Sequence, residues 1–224
     1  MSRPESDAAW CAPPLVCLHG LAASSRWWHG VVEALGAAGP VHLLDFPRAV
    51  RPELLPGWVA GHLEEREAPV DLVGHSLGAL VALKLAALRP GLVRRLILIA
   101  PPGLAPSRPT IGYGWPLLSS LASAHPRFLI RLAADAARVG PGNILRGGRY
   151  VASADASVAA GRVRAPTLVI LGEHDRLVPS AAGRAWLASI PTARLHVIEG
   201  AGHVPMIESP VELVTAIREF TDER

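Results

Sequence analysis

Short runs of Val, Ile and Leu alternate along the chain with longer segments in which apolar residues recur at helical spacing. Runs that are apolar throughout are typical of strands buried on both faces, and strands that alternate with helices form parallel sheets covered on both sides. We therefore predict an α/β fold with a mostly parallel central sheet and helices on both faces. The predicted strands are Leu15–His19, Val41–Phe46, Val70–Gly74, Leu96–Ala100, Thr167–Gly172 and Leu195–Glu199. The predicted helices are Trp27–Ala38, Trp58–Glu67, Leu77–Leu88, Ser180–Ser189 and Pro210–Thr221.

Residues 101–164 interrupt this alternation. They contain seven prolines and one amphipathic helix near Pro126–Val139. A connection of this length without a strand is unusual, and such insertions commonly cover binding sites. We predict that residues 101–164 form a small helical cap, inserted into a core made of residues 1–100 and 165–224.

Length and composition favour one globular domain. The chain has 224 residues, half of them hydrophobic and 18% charged, which is enough for a single core. The two cysteines, Cys11 and Cys17, are close in sequence, so we expect a reducing compartment and no disulfide framework. The N-terminus lacks the apolar stretch of a signal peptide, and no apolar run reaches the length of about 18 residues that spans a membrane. The expected location is the cytoplasm.

Residues Gly74–Gly78 read GHSLG, a G-x-S-x-G pattern directly after a predicted strand and directly before a predicted helix. A nucleophilic serine needs this arrangement, because a tight turn projects its hydroxyl past the sheet while the two glycines let strand and helix approach closely. The alternative is that Ser76 only caps the helix that follows. The flanking strand and helix favour the nucleophile, and we predict that role for Ser76.

Candidates for an acid and a base follow two later strands. Asp175 comes after Thr167–Gly172, and His203 comes after Leu195–Glu199. Carboxyl ends of parallel strands meet at one crevice, and Ser, acid, His is the chain order of a triad in such a sheet. Each has an alternative: Asp175 could be an ordinary turn residue, Glu173 could be the acid, and His203 is one of nine histidines.

Two backbone amides are candidates for binding an oxyanion. Leu77 begins the helix after Ser76, and a helix N-terminus favours negative charge. Leu21 follows His19 and Gly20 at the end of the first strand, where a glycine lets the backbone bend so that the next amide faces the crevice. The alternative is a loop that only closes onto the next helix, with His19 bonded to the backbone.

Four segments together resemble the signature segments of the α/β-hydrolase family, in the family's order: LVCLHGLAAS, DLVGHSLGALVALKLAALRP, PTLVILGEHDRLVP and GAGHVPMIESP. The resemblance spans roughly Leu15–Thr221 apart from the cap. It implies that Ser76, Asp175 and His203 form the catalytic triad. It also implies that the Leu21 and Leu77 amides form the oxyanion hole.

Two features depart from the family pattern. Only about a dozen residues precede the first predicted strand, where family members usually have an antiparallel hairpin, so we expect a sheet trimmed at its N-terminal edge. The loop that reads D-x-P-G-x-G-x-S in the family is DFPRAV here, at Asp45–Val50, without its glycines. The sequence does not predict the shape of that wall of the pocket.

The predicted function is that of a serine hydrolase that cleaves a carboxylic ester or thioester through a Ser76 acyl-enzyme. A serine at this position excludes the family chemistries that use an aspartate nucleophile. The sequence has no H-E-x-x-H, no paired cysteines and no G-x-G-x-x-G after a strand, so neither a metal nor a cofactor is expected. The alternatives are a non-hydrolytic enzyme with the same triad (a lyase, an elimination catalyst or a C–C bond-cleaving enzyme) and a ligand-binding receptor with a weak triad.

In the sequence, only the predicted cap gives an indication of the class of substrate. Residues 101–164 carry eight arginines against two aspartates, and Arg127, Arg131 and Arg138 fall close to one face of the predicted cap helix. A basic cap could recognise an anionic carrier, such as acyl carrier protein or a coenzyme A arm, similar to family members that cleave pimeloyl-carrier methyl esters; the alternative is a solvated surface. No basic stripe with interleaved aromatics points to nucleic acid. The candidate pocket walls, for which core packing is the alternative, are Trp27, Trp28, Trp115, Leu117 and Leu118.

Overall fold

The central sheet is built from six strands. The structure is a computed structural model that describes residues 13–36, 39–66, 68–104 and 126–222. Its strands are β1 Leu15–Leu18, β2 Val41–Leu44, β3 Val70–His75, β4 Val93–Ile99, β5 Thr167–Gly172 and β6 Ala193–Ile198. They form one sheet in the order β2-β1-β3-β4-β5-β6, and every neighbouring pair is parallel. All carboxyl ends therefore lie at one edge, where the predicted site residues follow β1, β3, β5 and β6.

Nine α-helices connect or extend these strands in the described residues. They are α1 His29–Leu35, α2 Leu55–Glu64, α3 Leu77–Leu88, α4 Pro126–Val139, α5 Pro141–Ala152, α6 Ser157–Ala160, α7 Gly183–Ser189, α8 Pro205–Glu208 and α9 Pro210–Asp222. Short 3₁₀ turns cover Ser25–Trp28, Pro52–Leu54, Pro90–Leu92 and Ser180–Ala182. No described helix is long and apolar enough to cross a bilayer.

Two hydrophobic cores lie on opposite faces of the sheet. Successive side chains of a strand point to opposite faces, and in β1 Val16 and Leu18 join one core while Leu15 and Cys17 join the other. Helices α2, α3 and α7 cover the first core, and α1 and α9 cover the second. This arrangement confirms the predicted sheet with helices on both faces, and it explains why β1, with one core on each face, is apolar at every position.

Some strand and helix boundaries differ from the predicted ones, at places where a charged residue or a proline interrupts the apolar sequence pattern. Strand β4 begins three residues earlier than predicted, because Arg94 interrupts the apolar run yet pairs with the buried Asp71 carboxylate of β3. Helix α2 begins at Leu55 and takes Pro56 into its first turn, where a proline costs no hydrogen bond. No antiparallel strand occurs in the described residues, and β2 forms the edge that the sequence predicted to be trimmed.

Helices α4–α6 lie between β4 and β5, inside the predicted cap region, and α4 has the predicted bounds. Its apolar side faces the protein: Phe128 packs edge-on against Trp27, with ring centroids 5.3 Å apart. The buried Asp135 carboxylate accepts hydrogen bonds of 2.9 Å from the Ser24 hydroxyl and from the Trp27 indole N–H. Because Ser24 and Trp27 follow β1, α4 is tied to the loop that carries Leu21.

We expect Asp135→Ala to destabilise the fold by about 1–3 kcal/mol, because it leaves the buried indole N–H of Trp27 without an acceptor. The free energy of unfolding in urea measures this loss. Arg138→Ala is the matched control: its guanidinium lies 3.5 Å from the same carboxylate but is 47% exposed, so its loss should stay below about 1 kcal/mol. Equal losses in the two variants would contradict an anchoring role for Asp135.

Candidate active site

Ser76 occupies the sharp turn between β3 and α3. Its backbone has φ 52° and ψ −113°, a conformation that is strained for a residue with a side chain. A Cβ on Gly74 would collide with the Gly78 carbonyl, and a Cβ on Gly78 would lie 2.5 Å from the carbonyl oxygen of Leu18. Both glycines are therefore needed for β3, α3 and β1 to approach this closely, as the motif predicted.

His203 and Asp175 meet Ser76 at the carboxyl edge of the sheet. His203 follows β6, and its Nε2 lies 3.3 Å from the Ser76 hydroxyl oxygen. Its Nδ1 lies 2.8 Å from Oδ2 of Asp175, which follows β5. The structure thus brings the three predicted triad residues into one hydrogen-bonded chain from carboxylate to hydroxyl. Such a chain can remove the serine proton during nucleophilic attack.

The Asp175 carboxylate is buried, and both of its oxygens accept hydrogen bonds. Its second oxygen, Oδ1, accepts the backbone N–H groups of Leu177 at 2.8 Å and Val178 at 2.9 Å. Burial by itself would raise the pKa of this carboxyl, but the His203 imidazole, its hydrogen bond and the two amides outweigh burial and hold the pKa below its ordinary value. The carboxylate therefore stays charged and can fix the His203 ring with its Nδ1–H toward Asp175.

The competing acid, Glu173, has a different role. Its side chain is half exposed, and Oε2 accepts the Gly200 N–H at 2.9 Å. It also lies 3.9 Å from Nδ1 of His174. Among the described contacts, Glu173 makes none with the His203 ring. The geometry therefore favours Asp175 over Glu173 as the partner of the base.

The loop that follows β1 carries the second predicted oxyanion amide. His19 is buried; its Nδ1–H donates to the Gly20 carbonyl at 2.8 Å, and its Nε2 accepts the Phe46 N–H at 3.1 Å. Burial lowers the pKa of His19, which keeps the ring in this neutral form. His19 thus ties the Leu21 loop to the loop after β2, which is the backbone-holding role considered for it from the sequence.

Leu21 and Leu77 line one small cavity of about 70 Å³. Its remaining walls come from the loops after β1 and β2 and from α2, α4 and α5. The lining residues are His19, Gly20, Leu21, Ala22, Phe46, Pro47, Arg48, Val50, Pro52, Leu55, Leu77, Val139, Asn143 and Gly147. The two residues whose amides were predicted to bind the oxyanion therefore line the same cavity, and one of them, Leu77, directly follows Ser76.

A larger cavity of about 300 Å³ lies elsewhere, beside Asp71 and Arg94 near the amino ends of β3 and β4. Its size does not make it the reaction site, because Ser76 and His203 follow the carboxyl ends of their strands. Chemistry requires the reacting groups to be within hydrogen-bond reach of the substrate. The smaller cavity is lined by Leu77, the residue after Ser76, so we place the candidate site where Ser76 and His203 meet beside this cavity.

The other predicted site residues are placed differently. Trp28 is fully buried and Trp27 is 6% exposed, so both pack in the core that α1 and α9 cover, and neither lines the cavity beside Leu77. Their burial agrees with the core packing that was the alternative, and a role for them as pocket walls stays a prediction. Arg131 and Arg138 are exposed on α4. Trp115, Leu117, Leu118 and the Arg127 side chain lie outside the described residues.

Several residues of the site were not predicted. Phe46 and Val50 belong to the loop that lacks the family's glycines, and Asn143 and Gly147 belong to α5, which the sequence did not predict. A Cβ on Gly147 would lie 2.5 Å from a Leu21 methyl carbon, so α5 packs directly against the Leu21 side chain at this glycine. In the described part of the chain, no group of three or more His, Cys, Asp or Glu is placed to hold a metal ion.

Comparisons with known proteins agree with this geometry. A model of the alpha/beta hydrolase family matches residues 15–217. A pimeloyl-[acyl-carrier protein] methyl ester esterase of Xanthomonas campestris pv. campestris is 31% identical, and the match covers 96% of this chain and 97% of that protein. The protein of the same name from Chromobacterium violaceum is 29% identical, over 94% of each chain.

Solved structures share the architecture. A hydrolase from Pseudomonas aeruginosa superposes with a TM-score of 0.75 at 21% identity, over 94% of this chain and 90% of that one. A meta-cleavage product hydrolase from Pseudomonas fluorescens gives a TM-score of 0.75 at 20% identity, over 95% and 91% of the two chains. At these identities the likeness shows the fold alone.

The sequence and structure comparisons confirm the predicted fold class. The curated relatives are esterases that match over almost their whole length, which confirms the predicted class of enzyme, a serine hydrolase. With the family model matched from β1 to the penultimate turns of α9, the chain belongs to the alpha/beta hydrolase family.

Proposed function

We propose that the protein hydrolyses a carboxylic ester or thioester through an acyl-enzyme on Ser76. The observation that carries this proposal is the chain of hydrogen bonds from Asp175 through His203 to Ser76, at 2.8 Å and 3.3 Å. Leu21 and Leu77, whose amides are the candidate oxyanion donors, line one cavity nearby. A serine hydroxyl is a weak nucleophile unless a base removes its proton, and this arrangement supplies the base.

The proposed reaction has two halves. His203 Nε2 takes the Ser76 proton as the hydroxyl oxygen attacks the carbonyl carbon, and the imidazolium then gives that proton to the departing alcohol or thiol. Water attacks the acyl-enzyme in the second half, with His203 as base again, and the products are the free acid and Ser76. The Leu21 and Leu77 amides would bind the oxyanion in both tetrahedral intermediates. Asp175 holds the ring and stabilises the imidazolium.

The proposed substrate is an acyl ester presented on an acidic carrier protein. The relatives that match nearly the whole chain are esterases of a pimeloyl-[acyl-carrier protein] methyl ester. Helices α4 and α5 border the cavity through Val139, Asn143 and Gly147, which supports residues 101–164 as a cap over the site. On the outer side of α4, Arg131 is exposed and has no ionic partner among the described residues. Exposed arginines steer acidic partners by long-range attraction.

Hydrolysis of p-nitrophenyl esters with short acyl chains tests the proposed reaction. We expect release of p-nitrophenol together with one equivalent of the free acid. Covalent labelling of the protein by a fluorophosphonate without turnover of any ester or thioester would contradict hydrolysis, and would favour a non-hydrolytic enzyme or a receptor.

Charge reversal on α4 tests the proposed carrier. We expect Arg131→Glu with Arg138→Glu to lower the ratio of kcat/KM for a carrier-bound methyl ester to that for the free methyl ester by about tenfold at low salt, with the difference shrinking as ionic strength rises. Arg184→Glu, on the exposed side of α7 in the core, is the matched control and should leave this ratio unchanged. If this ratio of kcat/KM values changed neither with ionic strength nor on charge reversal at Arg131 and Arg138, carrier docking at α4 would be contradicted.

A further inference from the structure

We propose that His75 is a positioning residue that fixes the backbone of the base, His203, relative to the nucleophile. The inference rests on the proposed function of Ser76 and His203. His75 is the residue directly before Ser76, at the end of β3, and is 3% exposed. Its Nε2 lies 2.8 Å from the carbonyl oxygen of His203, and the two imidazole rings are 5.0 Å apart.

The hydrogen-bond pattern defines which form of His75 is present. A carbonyl oxygen only accepts, so Nε2 must carry the proton and donate it to the His203 carbonyl. The other nitrogen, Nδ1, is buried and has no hydrogen-bond partner in the described residues. Burial, followed by the effect of the nearby His203, lowers the pKa of His75 to about 3, so the ring stays neutral near neutral pH. A neutral ring also adds no positive charge that would oppose the imidazolium of His203.

The His75 ring is confined between the two loops that matter for the proposed chemistry. A Cβ on Gly20, in the oxyanion loop, would lie 2.8 Å from Nδ1 of His75, so the ring fills the space up to that backbone. Its other end bonds the base loop, which we define as Gly200–His203. An unpaired buried nitrogen costs free energy, and an aromatic hydrocarbon ring would fill the same space without that cost. The Nε2–H donor is what a histidine adds at this position.

Among the described residues, three side chains form hydrogen bonds with the backbone of the base loop, and they bond different residues of it. Glu173 accepts the Gly200 N–H at 2.9 Å, and Glu208 accepts the Gly202 N–H. Of these three residues, only His75 bonds the backbone of His203 itself, and only His75 belongs to β3, the strand that leads directly into Ser76. The hydrogen bond therefore links the base to the residue next to the nucleophile, across the sheet edge.

The expected consequence concerns the rate of acylation rather than substrate binding. The His203 Nε2–Ser76 Oγ separation of 3.3 Å is long for a hydrogen bond, so a small drift of the base loop takes the base out of reach. A misplacement of about 1 Å costs on the order of 100-fold in rate. His75 is buried and is not among the residues that line the 70 Å³ cavity, so we expect its loss to affect kcat more than KM.

Three substitutions separate the hydrogen bond from the shape of the side chain. His75→Gln keeps a neutral N–H donor at about the reach of Nε2, His75→Asn keeps the amide but is too short to reach the His203 carbonyl, and His75→Met keeps the length without a donor. We expect kcat for a short p-nitrophenyl ester to fall by about 10- to 100-fold in the Asn and Met variants. We expect the Gln variant to stay within about threefold of the wild type, and KM to stay within about twofold in all three. The rate constant for fluorophosphonate labelling of Ser76 should follow the same order.

Equal kcat in the Gln and Asn variants would overturn the proposal, as would a loss that appears in KM. The same holds for a loss of kcat that follows the thermal unfolding midpoint across the variants, because that would make His75 merely structural. Should the Met variant not fold, the Gln and Asn pair alone decides. Labelling and turnover of the wild type are measured first. No adduct on Ser76 would mean that the proposed function fails. An adduct that forms at the same rate in the wild type and in all His75 variants would mean that only the positioning role fails.

Discussion

Ser76→Ala is expected to lower kcat for hydrolysis of a p-nitrophenyl ester by about 10⁶-fold, the size of effect that follows removal of a triad serine. The proposed route needs a hydroxyl that becomes covalently acylated, and alanine has none. The residual rate would come from water attacking an ester held near the oxyanion amides. Steady-state turnover, with enzyme from a host that cannot supply a contaminating esterase, measures the change.

Two controls separate loss of the Ser76 hydroxyl from loss of the fold. The strained backbone at position 76, with φ 52°, does not depend on the hydroxyl, so the alanine variant should fold and unfold like the wild type. Ser189→Ala, at the last residue of α7, should keep full activity. Turnover by the Ser76 variant within tenfold of the wild type would show that another group attacks the ester.

Asp175→Asn is expected to lower kcat by about 10⁴-fold. The carboxylate accepts the Nδ1–H of His203 at 2.8 Å and leaves Nε2 free to take the serine proton. An amide nitrogen at the same place would donate to Nδ1 instead, and the ring would then present an N–H toward Ser76. Nε2 would then already carry a proton and could not take the one from Ser76. Binding of the substrate, measured by KM for a slow ester, should change little.

Glu173→Gln is the matched control for Asp175→Asn, because Glu173 lies two residues away and was the competing acid in the sequence. Its side chain is half exposed and accepts only the Gly200 N–H among its described hydrogen bonds, and the glutamine carbonyl can accept the same bond. We expect less than about a tenfold loss for this variant. A larger loss in Glu173→Gln than in Asp175→Asn would assign the acid to Glu173 and refute the proposed pairing.

Much of the candidate site could be predicted because its signals are local or follow from topology. The strand, glycine pattern and helix around Ser76 are continuous in sequence, and the close approaches at Gly74 and Gly78 show why no other residue fits there. Asp175 and His203 are distant in sequence, but a parallel sheet places the ends of β5 and β6 at the same edge as the end of β3. Chain order was therefore enough to group the three.

The parts that sequence could not predict depend on packing between distant elements. Helix α5 contains Gly142, Gly147 and Gly148, which disfavour a helix, and the contact of Gly147 with the Leu21 side chain is visible only in the structure. A tryptophan after the first strand is equally compatible with a pocket wall and with a core, and only burial shows that Trp28 is core. His75 occupies a free position of G-x-S-x-G, so nothing in the motif points to its contact with His203.

The most direct test of the account is to react the wild-type protein with a fluorophosphonate and map the modified peptide by mass spectrometry. The account predicts one adduct per chain, on Ser76, and a labelling rate that collapses when His203 is replaced by alanine. An adduct on a different residue, or labelling of Ser76 at the same rate without His203, would contradict the claim that this imidazole activates this hydroxyl.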